Sequence, residues 1–251
     1  GDELDSTMNY PFTEAAIAFL TGRTDAYALN HALQTLREHY PKPFYDACLN
    51  LISSHDIIRA ATALAGAPDR NAISRSLQAA FRPSEQQKQK GLKKLILATA
   101  LQMALPGVPC VYYGDEAGMT GMADPFNRGA YPWGSENPET MEAFTALMHA
   151  RRDTDALKRG LCRMGALSPE VFAVVRYLPQ GGKAAVLMIN RSEKVQSVSL
   201  KPERLVEGPD GETQLALADT LTDVLSGETV GTENGELKTA LAPLSARLWI
   251  G

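Results

Sequence analysis

The chain has 251 residues, 44% of them hydrophobic and 22% charged, enough for one large globular domain or two ordinary ones. Its 25 basic and 29 acidic residues leave a formal net charge of −4 without long runs of one sign. That argues against nucleic acid or an anionic membrane as partner and favours a neutral one.

Three cysteines, Cys48, Cys110 and Cys162, show no CxxC spacing, so neither a disulfide framework nor a zinc site is expected and all three read as buried thiols. No stretch reaches the roughly 20 apolar residues of a membrane span. The first residues, Gly1 to Asp5, are acidic where a secretory signal is basic, and the sequence reads as starting midway in a longer protein.

Leu4 to Tyr10 reads as a short strand stopped by Pro11, followed by a helix over Thr13 to Leu20 with Thr13 as N-cap. Apolar residues at Ala28, Leu29, Ala32, Leu33 and Leu36 predict a helix between Asp25 and Tyr40, ended by Pro41-Lys42-Pro43. Asn50 to Asp56 is an apolar run that breaks into small polar and acidic residues. A buried parallel strand does this where its carboxyl end opens onto a site.

Asp56 to Gly66 turns the chain, and Ala67 to Asn71 is a surface excursion. Ser84 caps a long helix from Glu85 to about Leu105, with Leu92, Leu95, Ile96, Thr99 and Met103 on one face. Pro106-Gly107 closes it, and Val108 to Tyr113 is a second buried strand. Asp115 to Trp133 is too long and glycine-rich for a plain connection and reads as a functional loop. Asn137 and Pro138 open a helix to about Leu157. Three strand-then-helix units predict a parallel sheet or part of a barrel.

Near Gly160 the composition changes. Val171 to Tyr177, Ala184 to Ile189, Val195 to Leu200, Thr213 to Ala218, Leu237 to Leu241 and Ala246 to Ile250 are short runs separated by turn residues. They predict an antiparallel β domain of sandwich type, dividing the chain into 1–159 and 160–251.

The polar strand ends carry the chemistry. His55 and Asp56 put an imidazole and a carboxylate side by side, able either to reach a ligand or to end the strand with Asp56 capping the next helix. Asp115-Glu116 fits an acid/base or metal pair, or a capped turn. Asp124 and Arg128 present one acceptor and one forked donor, suited to sugar hydroxyls or to a plain surface ion pair. Tyr10, Tyr45, Tyr113 and Trp133 are candidate stacking platforms or core residues. The sequence holds no G-x-S-x-G motif and no glycine-rich phosphate loop, and His31, His39 and His149 lack metal-ligand spacing.

Taken together these segments resemble one family. Asn50-Leu51-Ile52-Ser53-Ser54-His55-Asp56 is similar to the seventh-strand motif of the α-amylase family, glycoside hydrolase family thirteen, in its neopullulanase and cyclomaltodextrinase form. Pro106 to Pro109 and Tyr112-Tyr113-Gly114-Asp115-Glu116-Ala117-Gly118-Met119 resemble its eighth strand and loop. Asp124-Pro125 with Arg128 and Trp133 resembles the next segment, and Leu4 to Pro11 the sixth strand. The matches run in order from about Gly1 to Leu157, and the β tail resembles the domain after the barrel.

The resemblance implies strands six to eight, with their helices, of a (β/α)8 TIM barrel followed by an antiparallel β-sandwich: α/β plus all-β. It implies a retaining hydrolase of α-1,4 or α-1,6 glucosidic bonds in maltooligosaccharides, cyclomaltodextrins, pullulan or starch. Asp56 matches the carboxylate that stabilises the transition state and His55 a contact to the cleaved sugar. Asp124, Arg128 and Tyr45 are the further substrate-binding candidates. The family's nucleophile and acid/base precede the residues matching Gly1 onward, so this chain carries neither and is expected to be inactive alone.

Gly129-Ala130-Tyr131-Pro132 departs from the second basic residue and methionine frequent in relatives, which bears on substrate preference. No cofactor is implied, and no metal is expected, since the family's calcium sites lie mostly in the preceding part. Open strand edges predict completion by the missing barrel half or self-association. The resemblance points to the cytoplasm. The alternative is a catalytically dead relative that binds sugar or acts as a scaffold.

Overall fold

The computed structural model describes residues 4–207, 215 and 217–251. Its first part is built of helices around a small parallel sheet. Helix α1 (Tyr10–Thr21) starts earlier than predicted, because the Asn9 side chain accepts from the Phe12 amide and Pro11 fills the first turn, where its missing N–H costs nothing. Thr13, expected as the cap, lies inside the helix and donates its hydroxyl to the Leu51 carbonyl at 2.7 Å. The strand expected before α1 contracts to one parallel bridge, Met8 to Leu49.

Helix α2 (Ala26–His39) is capped by Asp25. Pro41-Lys42-Pro43, expected only to end a helix, also begins α3 (Lys42–Ala47). Strand β1 (Leu49–Leu51) follows, then two short unpredicted helices, α4 (Ala60–Leu64) and α5 (Arg75–Ala80). Helices of five or six residues hold too few turns to show a period.

The long helix α6 (Glu85–Ala104) opens on a reciprocal capping box, in which Ser84 accepts from the Gln87 amide and Gln87 from the Ser84 amide. Such a cap contributes about 1 kcal/mol. At its other end Arg151 donates to the carbonyls of Met103, Leu105 and Gly107, placing a cation on the negative helix end. Strand β2 (Val108–Cys110) pairs parallel with β1, so Met8, β1 and β2 lie side by side in chain order.

Asn50 locks this sector. Its amide donates to the Pro106 carbonyl and its oxygen accepts from Asn9. Gly107 has φ +108, and a Cβ there would meet the Asn50 side chain at 2.6 Å, so only glycine lets the two strands approach. Helix α7 (Pro138–Asp153) is capped by Asn137. The helix predicted to run to Leu157 breaks at Thr154, and α8 (Asp155–Arg159) completes the segment.

The second part is antiparallel: β3 (Leu161–Ser168), β4 (Val171–Tyr177), β5 (Ala185–Asn190), β6 (Gln196–Leu200), β7 (Val206–Glu207), β8 (Thr220–Asp223), β9 (Thr229–Glu233), β10 (Glu236–Leu241) and β11 (Ser245–Ile250). Two independent sheets are not what forms. The described strands make one hydrogen-bonded order, β6-β10-β9-β8-β11-β5-β4-β3-β7, which curls until β6 approaches β3. The strand predicted from Thr213 to Ala218 falls largely outside the described residues.

Curling gives the sheet two buried faces. Phe172, Val174, Leu187, Ile189 and Leu248 join the core of α1, α2, α6 and α7, while Val175, Val186, Met188, Leu237, Leu241 and Trp249 form a second core inside the curl. The helical and β parts therefore share one continuous apolar core. Buried Arg176 fastens the junction by donating to the carbonyls of Ala104 and Gly160. Cys48 and Cys162 are buried as expected, whereas Cys110 is only half-buried. Among the described residues no helix is long and apolar enough to cross a membrane.

Candidate active site

The carboxyl end of β1 runs into Ser53, Ser54, His55 and Asp56. Asp56 does not cap the next helix. The amide of Ala60, first residue of α4, bonds instead to the Ser53 hydroxyl, which frees the Asp56 carboxylate. That carboxylate accepts from the Tyr10 phenol at 3.1 Å and lies 3.3 Å from His55 Nε2. Tyr10 also reaches the Ser54 hydroxyl at 3.0 Å. The His55 and Asp56 side chains are 52% and 58% exposed, so both present polar atoms to a ligand. The ring of Tyr10, a candidate platform, thus orients the carboxylate through its hydroxyl.

The long loop comes to the same place. Arg128 Nε and Asp124 Oδ1 pair at 2.6 Å, both about half exposed. A pair so exposed contributes at most about 1 kcal/mol and can open towards hydroxyl groups at small cost. Asn127, one of the three residues between them, is fully buried and donates its amide to the carbonyls of Ser54, His55 and Ile57 at 3.1, 2.9 and 2.7 Å. One side chain therefore holds the loop carrying Asp124 and Arg128 against the turn carrying His55 and Asp56. Gly121 permits the tight fold of that loop, where a Cβ would stand 2.3 Å from the Phe126 carbonyl.

Beneath lies a buried pair. Arg59 is fully enclosed, donating to the carbonyls of Asn127 and Tyr113 at 2.8 Å and to Asp115 at 3.2 Å. Its guanidinium also faces the rings of Tyr112 and Tyr113 at 4.6 and 4.8 Å, which gives the otherwise unbonded Nη2 a favourable surface. Asp115 is thus neither a metal ligand nor an exposed acid. Burial pushes its carboxyl up to about 7, with the Ser53 hydroxyl and Arg59 pulling it back down.

This shift has a measurable sign. Between the ordinary 3.8 and about 7 the folded protein keeps a proton that the unfolded chain has released, so stability is fully present below pH 4 and is lost as pH rises through 7. The slope is at most about 1.4 kcal/mol per pH unit. Comparing Asp115→Asn with the parent by denaturant titration from pH 4 to 8, the parent's stability is expected to fall relative to the variant. A difference that stays level across this range would mean that Asp115 is ionised throughout.

Tyr45 is not brought to this set. It is 5% exposed, in α3 before the amino end of β1, while His55 and Asp56 follow the opposite end. Its phenol is raised by burial and by nearby Cys162, which marks a core position rather than a substrate contact. Tyr113 donates its hydroxyl to the Gly129 carbonyl. Trp133 is 83% exposed, its ring 4.5 Å from that of Tyr131, and alone of the four candidate platforms it offers a largely open ring.

Two residues that organise the site, Arg59 and Asn127, carry no motif of their own. Arg59 had a usable signal: a single charge inside Ile57-Ile58-Arg59-Ala60-Ala61 must find buried partners. Asn127 had none, being one polar residue in a polar loop.

Residues 1–161 match the family model described as alpha amylase, catalytic domain. Over its whole length the chain is 31% identical to an amylopullulanase from Thermoanaerobacter thermohydrosulfuricus, of which it covers 17%. It is likewise 33% identical to neopullulanase 2 from Thermoactinomyces vulgaris, of which it covers 38%. The whole chain also superposes on the solved cyclic alpha-maltosyl-(1→6)-maltose hydrolase from Arthrobacter globiformis, with a TM-score of 0.69, 27% identity and 46% of that structure covered. The chain spans less than half the length of each of these relatives.

Proposed function

Because the chain belongs to the alpha-amylase catalytic-domain family, we propose that it is the carboxyl-terminal part of a retaining α-glucan hydrolase, comprising barrel strands six to eight and the following β domain. Met8, β1 and β2 take the places of those strands. The observation that carries the reading is Asn127, which joins His55 and Asp56 to Asp124 and Arg128 in one polar surface. Exposed hydroxyl-matching groups with no net cluster of one charge suit a neutral sugar chain.

In this reading the nucleophile and the acid/base lie in residues preceding Gly1. They attack the anomeric carbon and protonate the leaving oxygen, and this chain supplies the remainder of the cleft. Asp56, oriented by Tyr10, accepts hydroxyls of the ring being cleaved and places negative charge beside the oxocarbenium-like transition state. His55 donates to the same ring. Asp124 and Arg128 hold the neighbouring glucose, and the names of the relatives point to pullulan-type and cyclic α-glucans as substrates.

The full-length protein is expected to release sugar from maltooligosaccharides with retained α configuration, followed by NMR of the fresh product, while the 251-residue chain alone releases none. A β-anomeric first product would overturn the retaining mechanism. Hydrolysis by the chain alone would overturn the division of the catalytic groups.

A further inference from the structure

A second polar concavity lies where the helical and β parts meet. It is a groove of about 580 Å³ between α6, the end of α1 and the turn from β5 to β6, lined by Lys90, Lys94, Glu170, Arg191, Glu193 and Lys194 among others. Four of these side chains are cationic and two anionic, which leaves the groove net positive in a protein of negative net charge. It is far from the glucan site: α1 carries Tyr10 at its first residue and the groove at its last, a span of about 18 Å for 12 residues at 1.5 Å each.

The two carboxylates are already engaged. Glu193 pairs with Lys90, and Glu170 accepts from Arg191 at 2.8 and 3.2 Å. Arg191 also donates to the carbonyls of Phe19 and Thr24 and lies over the Phe19 ring, so it forms a fixed wall. Lys94 is left over. The residue is only 8% exposed, and its ammonium feels Glu193, which is already paired with Lys90, without joining an ion pair of its own among the described residues. Burial, then the Lys90 cation and, more weakly, Arg191, hold its pKa below the usual lysine value against the opposing pull of Glu193. A lysine whose stem is buried and whose ammonium meets only solvent and neighbouring cations is a good ligand for an anion entering the groove.

We propose that this groove binds a small multiply charged oxyanion, an inorganic phosphate or the phosphoryl group of a sugar phosphate, with Lys94 as the central ligand and Lys194 at the rim. A neutral glucan cannot compensate the unpartnered ammonium, and a cation is repelled by it. Phosphate brings several acceptor oxygens and at least one full negative charge at neutral pH, which matches three N–H donors on Lys94.

The test is calorimetric titration of the protein with sodium phosphate at pH 7, the ionic strength being held constant with sodium chloride. One site is expected, weakened at least about tenfold in Lys94→Met, which keeps the apolar stem, and several-fold in Lys194→Ala, which lies on the exposed rim and does not threaten folding. Glucose 6-phosphate distinguishes the sources. Binding equal to that of phosphate assigns the site to the free ion, and tighter binding to a sugar phosphate. Phosphate that binds no better than chloride, or equally well to the parent and both variants, overturns the proposal.

Discussion

Asp56→Asn in the full-length protein is expected to lower kcat on maltooligosaccharides by roughly a hundredfold or more, with KM changed only a few-fold. The amide keeps the size of the side chain and an oxygen for the Tyr10 phenol, so the turn after β1 retains its shape. What disappears is one full negative charge beside a ring that becomes positive only as its bond breaks. An interaction made in the transition state and not in the ground state appears in kcat. Steady-state kinetics with matched thermal denaturation measure this, and an unchanged turnover in a folded variant would remove Asp56 from the mechanism and favour the sugar-binding alternative.

Arg59→Met is expected to cost about 3 to 5 kcal/mol of stability, the largest effect of any single substitution considered. Methionine fills much of the volume but leaves the carbonyls of Asn127 and Tyr113 without a donor, and Asp115, freed from the pull of Arg59, takes up a proton and stays enclosed without its partner. Adding Asp115→Leu to Arg59→Met is expected to recover part of the loss, since replacing both partners with apolar groups removes the unsatisfied buried carboxyl. Urea titration of the two variants checks the pair. A loss under about 1 kcal/mol for Arg59→Met would mean that the buried ion pair is not what holds the loop.

This pair also links stability to the site. Arg59 grips the backbone of Asn127, and the Asn127 amide grips the turn bearing His55 and Asp56. The surface proposed to meet sugar is itself exposed and weakly bonded, as an exchanging site must be. Its rigidity comes from the fully buried residues underneath, where each hydrogen bond is shielded from water.

Helix α6 was legible almost to the residue, because Ser84 and Gln87 are three positions apart and declare their own capping box. Asn137, followed by Pro138, announced its helix as a cap. His55, Asp56, Asp124 and Arg128 were legible as motif members. The wrong start of α1, the break at Thr154 and the two short helices show the limit of local signals. Thr13, a good cap by type, was claimed by the Leu51 carbonyl 38 positions away.

The same division holds for the whole molecule. Alternation, caps and turns act between residues a few positions apart, so the amino-acid order alone determined a strand-helix portion followed by a β portion, with polar groups at the strand ends. Whether those groups meet depends on chain closure. Asn127 reaches Ser54 across 73 positions and Arg59 across 68, and the curl of the sheet around its second core joins strands distant in the chain. Such contacts leave no local signature, because their free energy comes from burial and desolvation that exist only once the core has assembled.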